Sequence, residues 1–114
     1  IGEINIENFL NKNKINYEIE FVFDDLRYKY PLRFDFAIIE GNNIKYLIEF
    51  NGKQHYSYYP TFHKSEEDFN ESLIRDSMKL EYCEKNNIKL YIIRYDDDLE
   101  LSLEKIMKEN EKEN

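Results

Sequence analysis

The chain has no tryptophan, a single cysteine, two prolines and three glycines in 114 residues. One thiol, Cys83, cannot close an internal disulfide, and it cannot by itself build a cysteine-based zinc site. No uninterrupted apolar run approaches the roughly 20 residues that a membrane-spanning helix needs. The start carries no signal-peptide pattern, so a soluble intracellular protein is expected. The chain opens on Ile1 rather than Met, as a processed protein or a domain cut from a longer one would. Positive charge is also in short supply: 16 Lys and Arg stand against 24 Asp and Glu, a net charge of −8. Nucleic-acid binders are usually basic, so strong non-specific binding by this domain alone is not expected. The deficit is uneven. Residues 1–58 hold seven basic and nine acidic side chains, whereas residues 96–114 hold three and eight.

What the chain does have is core-forming material. Apolar residues make up 41%, and ten Tyr and eight Phe bring aromatics to 16%, too rich for intrinsic disorder. The length suits one domain over 1–114, with an acidic C-terminal helix and tail from about residue 96. Ile4, Ile6, Phe9 and Leu10 predict a helix over about 2–12. Tyr17, Ile19, Phe21 and Phe23 alternate with Glu18, Glu20 and Val22, predicting a strand packed on one face, followed by a turn or loop over 24–31. Two β-rich runs, 32–39 and 44–50, flank the turn Glu40-Gly41-Asn42-Asn43 and read as a hairpin. A long helix is expected over about 66–85, with Phe69, Leu73, Met78, Leu80 and Tyr82 as its apolar positions. The run KLYIIRY at 89–95 reads as a buried strand joining the same sheet in parallel, and a last helix covers about 99–107. The expected fold class is α/β: a mixed central sheet flanked by helices, in the order α-β-β-β-α-β with a C-terminal helix.

Two acids interrupt the apolar runs of the hairpin, Asp35 within RFDF and Glu49 within LIEFNGKQHY. An unpaired carboxylate inside a strand is costly to desolvate. Alternation puts Glu49 and Asn51 on one face, and if Asp35 points the same way two carboxylates share a pocket. Such a pair calls for a cation, and a hard divalent ion with oxygen ligands, Mg²⁺ or alternatively Mn²⁺, answers it. Structural pairing with Arg33, Lys45 or Lys53 would answer it too. The polar cluster Asn51, Lys53, Gln54 and His55 just beyond Glu49 favours a site.

The joined pattern resembles the metal-dependent nuclease superfamily called PD-(D/E)XK. It is most similar to the small branch related to very-short-patch mismatch-repair endonucleases and phage homing endonucleases. The residues that carry the resemblance are Asp35 in a DF strand, Glu49 followed by NGKQHY, and RDSMKLEYCEKNNIKLYIIRY from Arg75 to Tyr95. It covers roughly residues 2–95. The resemblance implies a restriction-endonuclease-like core and an Mg²⁺-dependent endonuclease hydrolysing DNA phosphodiesters. It implies Asp35 and Glu49 as metal carboxylates, with Glu3 of the first helix as the glutamate that many members present to the same metal. The superfamily's lysine, two residues after the glutamate, is replaced by Asn51. The candidates for orienting or deprotonating the attacking water are therefore Lys53, Gln54, His55 and Lys79. Imidazole can accept a proton near neutral pH, which glutamine cannot. Asp76 and Lys79, three apart, share a helix face that reaches the pocket if the helix packs over it.

Arg27, Lys29 and Arg33, with Lys53 and Tyr56, are the expected nucleic-acid contacts. The aromatic loop Tyr56, Tyr58, Tyr59, Phe62 and His63 either stacks on splayed bases or covers the small core. Because the charge is acidic, DNA affinity is expected to come from an additional DNA-binding domain or subunit. The competing readings are a nucleic-acid-binding or structural module that keeps the fold without chemistry, and a protein-interaction domain using the tyrosine-rich loop. DNA repair and homing are the settings the resemblance brings with it.

Overall fold

A computed structural model describes residues 2–111. Seven main elements follow one another: α1 (Gly2–Lys12), β1 (Tyr17–Tyr28), β2 (Tyr30–Glu40), β3 (Asn43–Asn51), α2 (Glu66–Lys85), β4 (Leu90–Arg94) and α3 (Leu99–Glu111). A single 3₁₀ turn, Lys53–His55, follows β3. The sheet order is β1-β2-β3-β4. The first three strands are antiparallel neighbours, and β4 runs parallel to β3. This is the mixed sheet flanked by helices, in the order α-β-β-β-α-β-α, that the sequence predicts. The expected acidic tail beyond Glu111, like Ile1, lies outside the described residues.

The sheet separates two cores. On one face Ile6 and Leu10 of α1 and Leu103 and Ile106 of α3 pack against Phe36, Ile38, Ile48 and Ile93. On the other, Cys83 of α2 meets Leu26, Leu32, Phe34, Ala37 and Leu47. Phe34 and Ile48 are fully buried, and each such side chain contributes about 1.5–3 kcal/mol. Both faces of the central strands are therefore covered, which is why β2 and β3 read as nearly continuous apolar runs. An acid within them is conspicuous for the same reason.

Several expectations need correction. Of the turn or loop expected over 24–31, only a tight turn is present: β1 continues to Tyr28 and turns back through Lys29, whose φ is 67°. A register shift between Val22 and Arg27 absorbs the irregular spacing, and Leu26 and Tyr28 then reach the α2-side core. Nor does β1 keep one packed face. Tyr17 packs on the α1–α3 side, Phe21 and Phe23 pack on the α2 side, and Ile19 between them is 53% exposed. Glu20, at φ 48°, is where the alternation of faces is broken, while the register with β2 stays the same on both sides of it. β2 changes sides in step. Phe34 belongs to the α2-side core and Phe36 to the other, with Asp35 at the crossover. In α2, Leu73 and Leu80 are exposed rather than apolar contacts, because that helix buries only Cys83 completely. Finally, α3 extends four residues past the expected end, to Glu111.

Candidate functional site

The β2–β3 ladder pairs Phe36 with Ile48 and extends to Glu40 and Asn43 in one direction. In the other direction the backbones part, and side chains replace the ladder. The Asp35 amide donates to Glu49 Oε2 at 2.9 Å, and the Phe50 amide donates to Asp35 Oδ2 at 2.8 Å. Each carboxylate thus satisfies the backbone donor beside the other. The sequence's two interrupting acids are brought together, and the arrangement depends on the crossover of β2 at Asp35.

Glu49 is only 7% exposed. Its second oxygen accepts from Lys79 Nζ at 2.7 Å, and the same ammonium lies 5.2 Å from the centre of the Phe34 ring. Among the described residues no such bond to Asp35 Oδ1 is made; its Oδ2 takes the Phe50 amide. Burial, then the charge of Glu49, pushes the Asp35 carboxyl up to about 7; the Phe50 amide and Lys79 oppose the shift, and Glu3 adds to it. The pair therefore carries excess negative charge that one ammonium offsets only in part.

The carboxylates open onto a cavity of about 560 Å³ lined also by Glu3, Gln54, His55 and Lys79. Glu3 is brought there by α1, whose Gly2 lies directly on the Phe50 ring, so that any side chain at residue 2 would collide with it. Six of the seven sequence-predicted catalytic residues line this one cavity. The seventh, Asp76, lies behind His55: His55 Nδ1 and Asp76 Oδ2 are 3.5 Å apart. The hydrogen bond to Asp76 raises the imidazole above its ordinary 6.5 against the opposing effect of burial, and the charges of Asp76, Glu49 and Asp35 act in the same direction. One face of α2 therefore serves both groups, Asp76 behind the histidine and Lys79 on the glutamate. That helix is anchored at Ser65, whose hydroxyl accepts from the Asp68 amide at 3.1 Å, a cap typically worth ~1 kcal/mol.

The structural partners foreseen for the two acids are all engaged elsewhere. Arg33 pairs with Glu20 and Lys45 with Glu40, while Lys53 sits 5.4 Å from the Tyr59 ring centre. Of the four candidates for the displaced lysine's role, Lys53 is the one that does not line the cavity. Asn51 turns away, donating to the Tyr56 hydroxyl at 3.4 Å. The expected phosphate contacts Arg27, Lys29 and Arg33 are not in the cavity wall either. Arg27 and Lys29 sit beside the β1–β2 turn, where Lys29 is paired with Glu71. In the aromatic loop, His63 stacks on Tyr58 and meets Phe69 edge-on, and its Nδ1 accepts from the Tyr59 amide at 3.1 Å. These rings cover one another, while Phe62 reaches the cavity.

Arg94 was not legible as a site residue. It ends β4, lines the cavity, and lays its guanidinium 4.2 Å from the centre of the Tyr56 ring. The parallel register that carries it beside Asn51 is a long-range fact which local patterning does not contain.

Among the described residues no group of three or more His, Cys, Asp or Glu side chains is gathered closely enough to hold a metal ion. Glu3 thus lines the cavity without completing a three-carboxylate set. The donor chemistry nonetheless fits a small hard cation. Two adjacent carboxylates offer only oxygen donors, the type that hard divalent ions such as Mg²⁺ take from one or two protein carboxylates and several waters.

No family model matches the chain, and no solved structure matches it. The uncharacterized protein 307L of Invertebrate iridescent virus 6 is 40% identical over 52 residues, which are 46% of this chain and 26% of that protein. The chain therefore spans about a quarter of the relative's length. No helix among the described residues is long and apolar enough to cross a membrane.

Proposed function

We propose that this chain is the catalytic domain of a metal-dependent endonuclease that hydrolyses DNA phosphodiester bonds, with a restriction-endonuclease-like core of the PD-(D/E)XK kind. The observation that carries the reading is the Asp35–Glu49 pair, reciprocally bonded to the neighbouring backbone and open to a cavity that also holds Lys79 and His55. Asp35 and Glu49, with Glu3 across the cavity, are the residues that would hold Mg²⁺ or Mn²⁺. Such an ion supplies Lewis acidity toward a phosphoryl oxygen and lowers the pKa of water.

The chain's own residues divide the remaining work. Glu49 is held by Lys79 and by the Asp35 amide, so its carboxylate is fixed in place before any ligand arrives. Lys79, 2.7 Å from Glu49, brings positive charge to the place the missing motif lysine would serve. His55 Nε2 is left for the cavity when Nδ1 faces Asp76, so Asp76 selects the tautomer in which Nε2 accepts a proton. Gln54 can orient water but cannot deprotonate it. With the domain's charge at −8, an additional DNA-binding domain or subunit supplies the affinity.

The test is incubation of the purified chain with supercoiled plasmid in Mg²⁺, in Mn²⁺ and in EDTA. Nicking in either metal and none in EDTA is expected. A rate about 10²-fold lower in His55→Ala, with the metal concentration dependence unchanged, identifies the base. A chain that nicks in neither metal, while remaining folded, overturns the reading.

A further inference from the structure

The cavity that receives the scissile phosphate in this reading has few cations in its wall. Lys79 is committed to Glu49 at 2.7 Å, and Arg27, Lys29 and Arg33 lie outside. A DNA backbone entering beside two carboxylates needs a positive group that is both at the cavity and free to change partner.

Arg94 meets both conditions. Its main chain is fixed, because its amide donates to Asp97 Oδ2 at 2.8 Å and the next amide, of Tyr95, donates to Asn51 O at 2.9 Å. Its guanidinium plane is oriented by Tyr56 at 4.2 Å and Tyr95 at 6.0 Å. Tyr56 in turn accepts from Asn51, the residue that stands where the motif lysine would be. The outer edge of the fork is occupied by Asp96, with Nε to Oδ1 at 3.0 Å and Nη2 to Oδ2 at 3.4 Å. That carboxylate is about half exposed. Exposed pairs of this kind are weak, and the two-point geometry that suits a carboxylate suits a phosphate equally.

We propose that Arg94 is a positioning residue for the substrate: it exchanges Asp96 for a phosphate of the DNA backbone next to the scissile one, using the Asn51–Tyr56 platform to hold its plane. The proposal rests on the endonuclease reading and adds to it the cation that docks the backbone. Arg94 does not touch the reacting atoms, so its loss weakens docking rather than the chemical step.

The experiment measures nicking kinetics in Mg²⁺ for wild type, Arg94→Gln and Arg94→Lys over a salt series. In Arg94→Gln, KM rises about tenfold with kcat within about twofold, and the slope of log KM against log salt falls by about one, the loss of one phosphate contact. Arg94→Lys keeps the salt slope but recovers KM only in part, because an ammonium lacks the planar fork. The same melting temperature in all three chains separates docking from folding. Wild-type nicking with an unchanged KM and salt slope in Arg94→Gln overturns this inference alone. A wild-type chain that does not nick overturns the endonuclease reading and this inference with it.

Discussion

A lysine–glutamate pair stands at each end of the β2–β3 hairpin, and the two pairs differ in exposure and in surroundings. The first takes both residues from the hairpin, the second its lysine from α2. Near the turn, Lys45 meets Glu40 at 3.1 Å, with the glutamate side chain 65% exposed. At the far end Lys79 meets Glu49 at 2.7 Å, with both side chains no more than 15% exposed. At the first end the ladder is intact and the acid points to water. At the second the ladder has parted, and two carboxylates take over the backbone amides. The same two strands thus show what an acid costs when it is solvated and what it costs when it is buried beside another. Stability alone is a weak account of the second arrangement, since a buried ion pair is often no better than apolar residues of the same volume. The concentrated negative charge is accounted for if a ligand takes it.

The largest expected contrast is in catalysis. Glu49→Gln should lower nicking by about 10³-fold or more, the loss of a few kcal/mol of charge stabilisation, and should weaken Mg²⁺ binding measured by calorimetry. Glu40→Gln should change neither. Equal effects of the two substitutions would erase the distinction between the ends of the hairpin and return Glu49 to a structural role.

Stability gives the next contrast. Lys79→Met leaves the buried Glu49 carboxylate beside the half-buried Asp35 carboxylate without their ammonium, and about 2–3 kcal/mol should be lost in EDTA, somewhat under the cost of breaking a sealed pair because the cavity admits water. Lys45→Met, at the solvated end, should stay within about 0.5 kcal/mol. Urea unfolding of both variants measures this. Added Mg²⁺ should recover more stability in Lys79→Met than in Lys45→Met, since only there is it replacing a lost positive charge.

These contrasts rest on features that were unequally legible in the sequence. The element order and the pairing of Asp35 with Glu49 follow from local pattern, because an acid between Phe34 and Phe36, or between Ile48 and Phe50, has few reasons to be there. The crossover of β2 at Asp35 was not legible. It lies level with Glu20 of the neighbouring strand, whose φ of 48° a glutamate's chemistry does not announce. Helix spacing put Asp76 and Lys79 on one face, yet which partner each would find required the packing of α2 over the sheet. The cationic contacts were the least legible. Arg27 and Lys29 follow the β1–β2 hairpin away from the cavity wall, and Arg33, two residues before Asp35, turns its side chain to Glu20 instead. Arg94 reaches that wall through a parallel pairing with β3, some forty residues earlier in the chain. Proximity in sequence misled where proximity across the sheet decided.

The most discriminating contrast is in pH. The Asp35 carboxyl, ordinarily near 3.8, is pushed up to about 7 by burial and by Glu49. Below 3.8 the proton is bound in folded and unfolded chains alike, so the buried site carries no penalty from this group. Between 3.8 and about 7 the folded chain holds a proton that the unfolded chain has released, so the metal-free fold loses stability as pH rises. Above about 7 the loss is complete. Asp35→Asn has nothing to titrate, yet its side-chain oxygen can still accept from the Phe50 amide. In EDTA the variant should therefore be more stable than the wild type at pH 8, and the advantage should shrink at pH 5. Mg²⁺ should reverse the order at pH 8, because it binds the ionised carboxylate and the asparagine offers it none. Urea unfolding at both pH values, with and without Mg²⁺, separates the outcomes. If wild type and Asp35→Asn lose stability in parallel from pH 5 to pH 8, Asp35 is as well solvated as the acid at the other end of the hairpin, and the charged pocket does not exist.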